Sequence, residues 1–178
     1  TGMPLVEKVV TVDGPAVANP QNVVVPVGTP IKNVLDFVGL KCEPKKVLYG
    51  GPMMGTSVPS LENPIMKNTN AILAFDEKEA VDPAPSACIR CGRCVNHCPF
   101  NLMPAEIERA YTNNEPETLK SLKVNLCMEC GCCSFSCPAR RPLVQVNKLA
   151  KAMLNKYNAE QKAEAEKKAA KAKEKEAV

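Results

Sequence analysis

Tryptophan is absent, aromatic residues make up only 4% of the chain, and histidine occurs once, at position 97. So few aromatics exclude a large aromatic-filled core, and the lone histidine speaks against a mixed cysteine–histidine zinc site. No apolar run approaches the roughly 20 residues needed to span a bilayer, so no transmembrane segment is expected. The N-terminus, TGMPLVEKVVTVDG, has neither the charged n-region nor the apolar h-region of a signal peptide. It also begins without methionine, as a processed or excised piece of a longer protein would. No basic patch interleaved with aromatics occurs, so the chain lacks the usual footprint of nucleic-acid binding. These absences point to a soluble protein of a reducing compartment. There, a cysteine cluster usually binds metal or does redox chemistry.

What is present is organised in blocks. Sixteen prolines and nine glycines among 178 residues imply many turns and short elements. Over residues 1–76, VVTVDG and NVVVPVG are β-branched runs closed by glycine and read as strands, as do KKVLYGG and ILAF. Between them TPIKNVLDFVG reads as a helix: Thr29 is expected to cap it, Pro30 to open it, and Gly39 to end it. Ile31, Val34, Leu35 and Val38 recur at helical spacing. This order is that of a small α+β domain with one helix on a mixed sheet. Residues 77–87, DEKEAVDPAPS, read as a linker. Residues 88–157 hold the cysteines, with LMPAEIERAY and EPETLKSLKV expected to form a helical hairpin opened by Pro104 and Pro116. A further helix should then set Leu143, Val146, Leu149, Ala150, Met153, Leu154 and Tyr157 on one side. Residues 158–178 are rich in lysine, alanine and glutamate and have little to bury, so a solvated helix or disordered tail is expected.

Eight of the ten cysteines repeat one pattern. Cys88-x2-Cys91-x2-Cys94-x3-Cys98-Pro99 returns as Cys127-x2-Cys130-x2-Cys133-x3-Cys137-Pro138. Three cysteines at steps of three let their sulfurs converge on one iron–sulfur cubane. The fourth, before proline, ligates the other cluster in two-cluster proteins. The predicted sets are Cys88, Cys91, Cys94 and Cys137 for one [4Fe–4S] cluster, and Cys127, Cys130, Cys133 and Cys98 for the other. Gly92 and Gly131 permit the positive φ that lets backbone amides approach cluster sulfurs. A structural zinc site would want pairs around one tetrahedral ion, and disulfides would want an export signal, so both fit less well. Outside the pattern, Cys42 reads as a small buried or partly buried thiol. Cys132 is expected near a cluster without ligating it, and His97 as either a loop residue or a hydrogen-bonding neighbour. Arg90 and Arg93 near one cluster, against Glu129 near the other, would offset the two potentials.

Formal net charge is +4, yet eight thiolates and two oxidised cubane cores would bring the loaded protein close to neutrality. The apparent basicity is therefore no argument for a nucleic-acid partner. YGGPMMG is neither a P-loop nor GxGxxG and reads as a tight turn after a strand.

VVTVDG, NVVVPVGTP, YGGPMMG and TNAILAF, followed by CIRCGRCVNHCPFNLMP and NLCMECGCCSFSCP, resemble the C subunit of the Rnf electron-transport complex from about residue 3 to 157. The resemblance implies a soluble-ligand-binding (SLBB) β-grasp domain followed by an α-helical two-cluster ferredoxin module. It further implies a place on the cytoplasmic face of the bacterial inner membrane, in a complex passing electrons between ferredoxin and NAD with sodium or proton movement. Its implied partners are the complex's other subunits, the flavin domain of the same full-length protein and, indirectly, a ferredoxin-type donor. In that family FMN and nicotinamide bind in a region preceding the β-grasp domain, so this chain is expected to relay electrons without a complete catalytic site. Two alternatives share these features. One is a cobalamin reductase of bacterial microcompartments, similar in domain order; the other is a ligand-binding module with structural clusters.

Overall fold

β-Branched runs that bury alternate side chains build the first half of the molecule. The computed structural model describes the backbone of residues 2–176 and side-chain environments as far as residue 167. In β1 (Glu7–Asp13) Val10 and Val12 face inward and are fully buried, while Val9 stays exposed. β1 pairs antiparallel with β2 (Gln21–Pro26), Val9 opposite Val24, and parallel with β5 (Ala71–Phe75), Thr11 opposite Ala71. β5 also runs antiparallel to β3 (Lys46–Tyr49), whose far edge carries the two-residue β4 (Thr56–Ser57). The result is a mixed five-stranded sheet in the order β2-β1-β5-β3-β4. β4 was not anticipated from the sequence. The YGGPMMG turn joins it to β3, closed by Gly55 N–H donating to the Gly51 carbonyl at 2.7 Å.

Helix α1 (Ile31–Val38) packs on this sheet through Ile31, Val34, Leu35 and Val38, none more than 3% exposed. Fully burying each such side chain contributes about 1.5–3 kcal/mol, so this stripe is the main tie between helix and sheet. Gly39 follows with φ 77°, as the sequence suggested. The expected cap does not form. Thr29 Oγ1 donates instead to the Pro26 carbonyl, and Pro30 sits at the capping position with no side-chain bond. The orphan amides of the first turn find distant partners: Ile31 N–H donates to Asn63 O and Lys32 N–H to Leu61 O, both at 3.0 Å.

Contacts divide the chain into two units, Thr1–Pro83 and Ala84–Val178. In the second, α3 (Pro104–Thr112) and α4 (Pro116–Ser121) form a helical hairpin, each opened by proline. A 3₁₀ turn follows at Val124–Leu126, and the long α6 (Leu143–Glu176) lies along α3 and α4. Leu102, Ile107, Ala110, Leu119, Val124, Ala150 and Leu154 form the core, with Tyr111, Met153 and Tyr157 at its margin. Leu149, expected on the buried side, is 53% exposed, whereas Val144 and the polar Asn147 are buried. The inward face of α6 is thus turned toward the cysteine loops at its start, which the helical period alone could not show. The 158–178 segment is helical to Glu176. Its last two residues, and its side chains from residue 168, lie outside the described residues.

The α+β class is therefore realised as a mixed sheet with one helix, followed by a helical unit. Gly14 carries a particular burden in the first of these. It has φ 125°, and a Cβ there would run into the Ala74 backbone, whose carbonyl accepts from Ala16 N–H. Gly14→Ala should cost at least about 1–3 kcal/mol through backbone strain alone. The expected outcome is a lower urea midpoint by far-UV circular dichroism and lost amide protection at Val10 and Val12. An unchanged midpoint would contradict this account of the β1–β5 junction.

Candidate metal centres

The cysteine repeat is also a repeat of backbone shape. Arg90, Gly92 and Asn101 adopt positive φ, and so do Glu129, Gly131 and Arg140, their counterparts one repeat later. Short helices α2 (Arg93–Asn96) and α5 (Cys132–Phe135) follow the two glycines. Pro104 and Leu143, again one repeat apart, begin α3 and α6. Each motif therefore curls as a loop, one helical turn and a second loop before its long helix starts.

Two cavities result. One, of about 500 Å³, is lined by Cys88, Cys91, Cys94 and Cys137. The other, of about 20 Å³, is lined by Cys98, Cys127, Cys130 and Cys133. Three thiols of each set come from one motif and the fourth from the other. Cys88 and Cys91 are exposed, Cys133 is buried, and the remaining five are partly buried.

Hydrogen bonds explain the exchange of fourth residues. Ser86 N–H donates to the Ala139 carbonyl at 3.0 Å, and Arg141 Nη1 donates to the Ser86 carbonyl at 3.0 Å. The approach to Cys88 is thereby laid beside the loop that leaves Cys137. Arg141 Nε also bonds Glu108 Oε2 at 2.7 Å, tying that loop to α3, and this pairing raises the guanidinium pKa further. At the second cavity Leu102 N–H donates to Cys98 Sγ at 3.4 Å, and Asn147 Nδ2 to Cys127 Sγ at 3.5 Å. Lys151 Nζ caps the same loop, donating to Cys127 O at 3.1 Å and Glu129 Oε1 at 2.6 Å.

Four soft sulfur donors around each cavity are the donor set of a [4Fe–4S] cluster. Among the described residues, no three His, Cys, Asp or Glu side chains close on a single ion. The first cavity fits a cluster by donors and by space. The second fits by donors, while its volume of about 20 Å³ holds about one water, so its walls would have to part to admit a cluster.

Other singled-out residues fall into place around these sets. Arg90 lines the first cavity, but Arg93 does not. Glu129 lines the second with its charge met by Lys151, which weakens the offset expected from it. Cys132 does not line the second cavity; its thiol meets that of Cys130, which with burial raises its pKa. His97 is exposed, and its Nδ1 lies 2.9 Å from the Arg93 carbonyl. Cys42 is exposed, contrary to expectation, because it lies in the loop after α1 and outside the core. Sequence reasoning missed Glu108, Arg141, Asn147 and Lys151. Carrying the repeat past the Cys-Pro pairs would have found the first and third, which occupy equivalent positions on α3 and α6.

Residues 9–57 match the SLBB domain family and residues 87–141 the 4Fe-4S dicluster domain family. The chain is 44% identical over 105 residues to the C subunit of the proton-translocating ferredoxin:NAD(+) oxidoreductase complex of Clostridium ljungdahlii, covering 58% of this chain and 23% of that protein. It is 42% identical over 108 residues to the Na(+)-translocating counterpart of Acetobacterium woodii, covering 60% and 24%. With the C subunit of the ion-translocating oxidoreductase complex of Rhodobacter capsulatus it shares 37% identity over 155 residues, or 86% of this chain and 30% of that protein. The chain thus spans less than a third of the length of these curated relatives.

Burial pushes the Cys133 thiol up to about 11, outweighing the Ser134 amide that favours its thiolate. Since only the thiolate is nucleophilic, Cys133 of the metal-free chain should alkylate slowly, its rate climbing about tenfold per pH unit toward that value. Mass spectrometry of iodoacetamide-treated protein across pH would show this. A rate that levels off near the ordinary thiol pKa would contradict the buried setting.

Proposed function

The chain is a homologue of part of the C subunit of ion-translocating oxidoreductase complexes, and from that premise we propose that it relays electrons through two [4Fe–4S] clusters. The observation that carries this reading is the lining of each cavity by three thiols of one motif and one of the other. In this reading Cys88, Cys91, Cys94 and Cys137 hold the first cluster, and Cys127, Cys130, Cys133 and Cys98 hold the second. Residues 88–157 form the cluster module, 1–76 the β-grasp domain, 77–87 the linker and 158–178 the tail.

When bound, such clusters supply reversible one-electron capacity at a potential set by net charge, hydrogen bonds to sulfur and solvent exposure. The chain's own residues supply position and surroundings. Gly92 and Gly131 turn the loops so that three thiols face one space. Arg141 and Glu108 brace the first site, and Lys151 and the Leu102 amide brace the second. Leu143 and Val144, both buried beside Cys133, exclude water where the two sites adjoin α6. Cys88 and Cys91 keep the first site open to an incoming donor.

The relatives' names speak of ion-translocating ferredoxin:NAD(+) oxidoreductase complexes, and the family resemblance supplies the rest of the setting proposed for this chain. In it the chain acts within a membrane-associated complex that passes electrons between ferredoxin and NAD and couples this to ion movement. Its partners are the complex's other subunits, the flavin domain of the full-length protein and, indirectly, a ferredoxin-type donor, with no nucleic acid. FMN and nicotinamide chemistry belongs to the region preceding the SLBB domain. The location is peripheral, on the cytoplasmic face of the bacterial inner membrane. Among the described residues no helix is long and apolar enough to cross a membrane.

Anaerobic reconstitution tests this directly. About eight irons per chain are expected, with two S = 1/2 signals after dithionite and reduction of both by a reduced ferredoxin-type protein in stopped flow. One zinc per chain without an EPR signal would overturn the ligand sets. Two clusters that reduced ferredoxin and reduced flavin donors fail to reduce would leave the sites and remove the relay.

A further inference from the structure

The repeat places one buried polar residue at the fifth position of each long helix: Glu108 on α3 and Asn147 on α6. Glu108 lines the first cavity and Asn147 the second, at 9% and 1% exposure. Their chemistry differs. The Glu108 carboxylate accepts from Arg141 and has no N–H to offer a sulfur. Asn147 Nδ2 donates to Cys127 Sγ, while its buried Oδ1 has no hydrogen-bond partner among the described residues. A buried amide that leaves its oxygen unpaired is costly, and an apolar residue would avoid that cost. The N–H directed at a sulfur is what the position gains in exchange.

A hydrogen bond to a thiolate stabilises negative charge on sulfur, and adding an electron to a cluster–thiolate unit increases that charge. The donor therefore favours the reduced form, as hydrogen bonds to ligand sulfurs are known to tune such centres. We propose that Asn147 is a positioning residue that raises the reduction potential at the Cys127, Cys130, Cys133 and Cys98 site through Cys127, a contribution for which Glu108 gives no counterpart at the other site. This rests on the two-cluster reading above. The electron is supplied in the test by dithionite through mediators, and the one-electron change resides on the cluster and its sulfurs.

The experiment is an EPR-monitored redox titration of the full, anaerobically reconstituted chain and of two variants. Asn147→Leu removes the donor with its orphan oxygen, and Asn147→Asp keeps the shape but replaces the N–H by a carboxylate oxygen. The second-site signal is identified as the one lost in Cys130→Ala. Both variants should make that site harder to reduce by about tenfold in equilibrium constant, or about 59 mV for one electron, with the first-site midpoint unmoved. An exchangeable-proton coupling seen by ENDOR in the reduced wild type should disappear in Asn147→Leu. If one variant fails to assemble the second cluster, the other decides. A second-site midpoint at the wild-type value in a variant holding both clusters overturns the proposal. Absence of two clusters in the wild type would instead overturn the reading on which it rests.

Discussion

The crossed lining of the two cavities, three thiols of one motif beside one of the other, is the constraint on which the rest of the helical unit depends. Ser86 bonded to Ala139 and Arg141 bonded to both Ser86 and Glu108 hold the start of the first motif against the end of the second. Each neutral hydrogen bond contributes only about 0.5–1.5 kcal/mol, and those to charged groups about 1.5–3 kcal/mol. Such a clasp selects an arrangement without carrying the fold by itself. Sites built this way depend on both motifs and therefore on the α3–α4 hairpin that separates them. The short core of that hairpin is finished by Ala150 and Leu154 of α6. The same helix supplies Asn147 and Lys151 to the second site.

The two sites are equivalent in backbone and unequal in surroundings. The first is roomy, with two exposed thiols, and its flanking carboxylate is neutralised by an arginine. The second is tight, contains the most buried thiol, and receives a side-chain N–H in addition to the backbone amides that thiols of both sites accept. A duplicated motif is a natural way to obtain two centres of one kind. Substitutions at equivalent positions would then be enough to separate the properties of two bound clusters, since access, charge and hydrogen bonding each act locally on a cluster.

Much of this was legible in the sequence because it depends on near neighbours. Val10 and Val12 alternate, Ile31, Val34, Leu35 and Val38 recur at helical spacing, and Pro104 and Pro116 open their helices, all within one element. The cysteine spacing belongs to the same class. What escaped was decided by distant parts of the chain. Thr29 lost its capping role because carbonyls of Leu61 and Asn63, some thirty residues on, reached the first-turn amides. β4 is only two residues long and exists because β3 offers an edge. Leu149 ended outside and Asn147 inside because the cysteine loops set the rotation of α6. Asn147 broke the apolar pattern of its helix, and such a break is where a local rule yields to a site.

Paired cysteine variants show whether each site takes its fourth thiol from the other motif. EPR of reduced, reconstituted protein is recorded for Cys91→Ala, Cys137→Ala, Cys130→Ala and Cys98→Ala. With crossed sites, Cys137→Ala should perturb the same signal as Cys91→Ala, and Cys98→Ala the same signal as Cys130→Ala. If Cys98→Ala instead matches Cys91→Ala, each motif closes its own site, and the crossed arrangement is wrong.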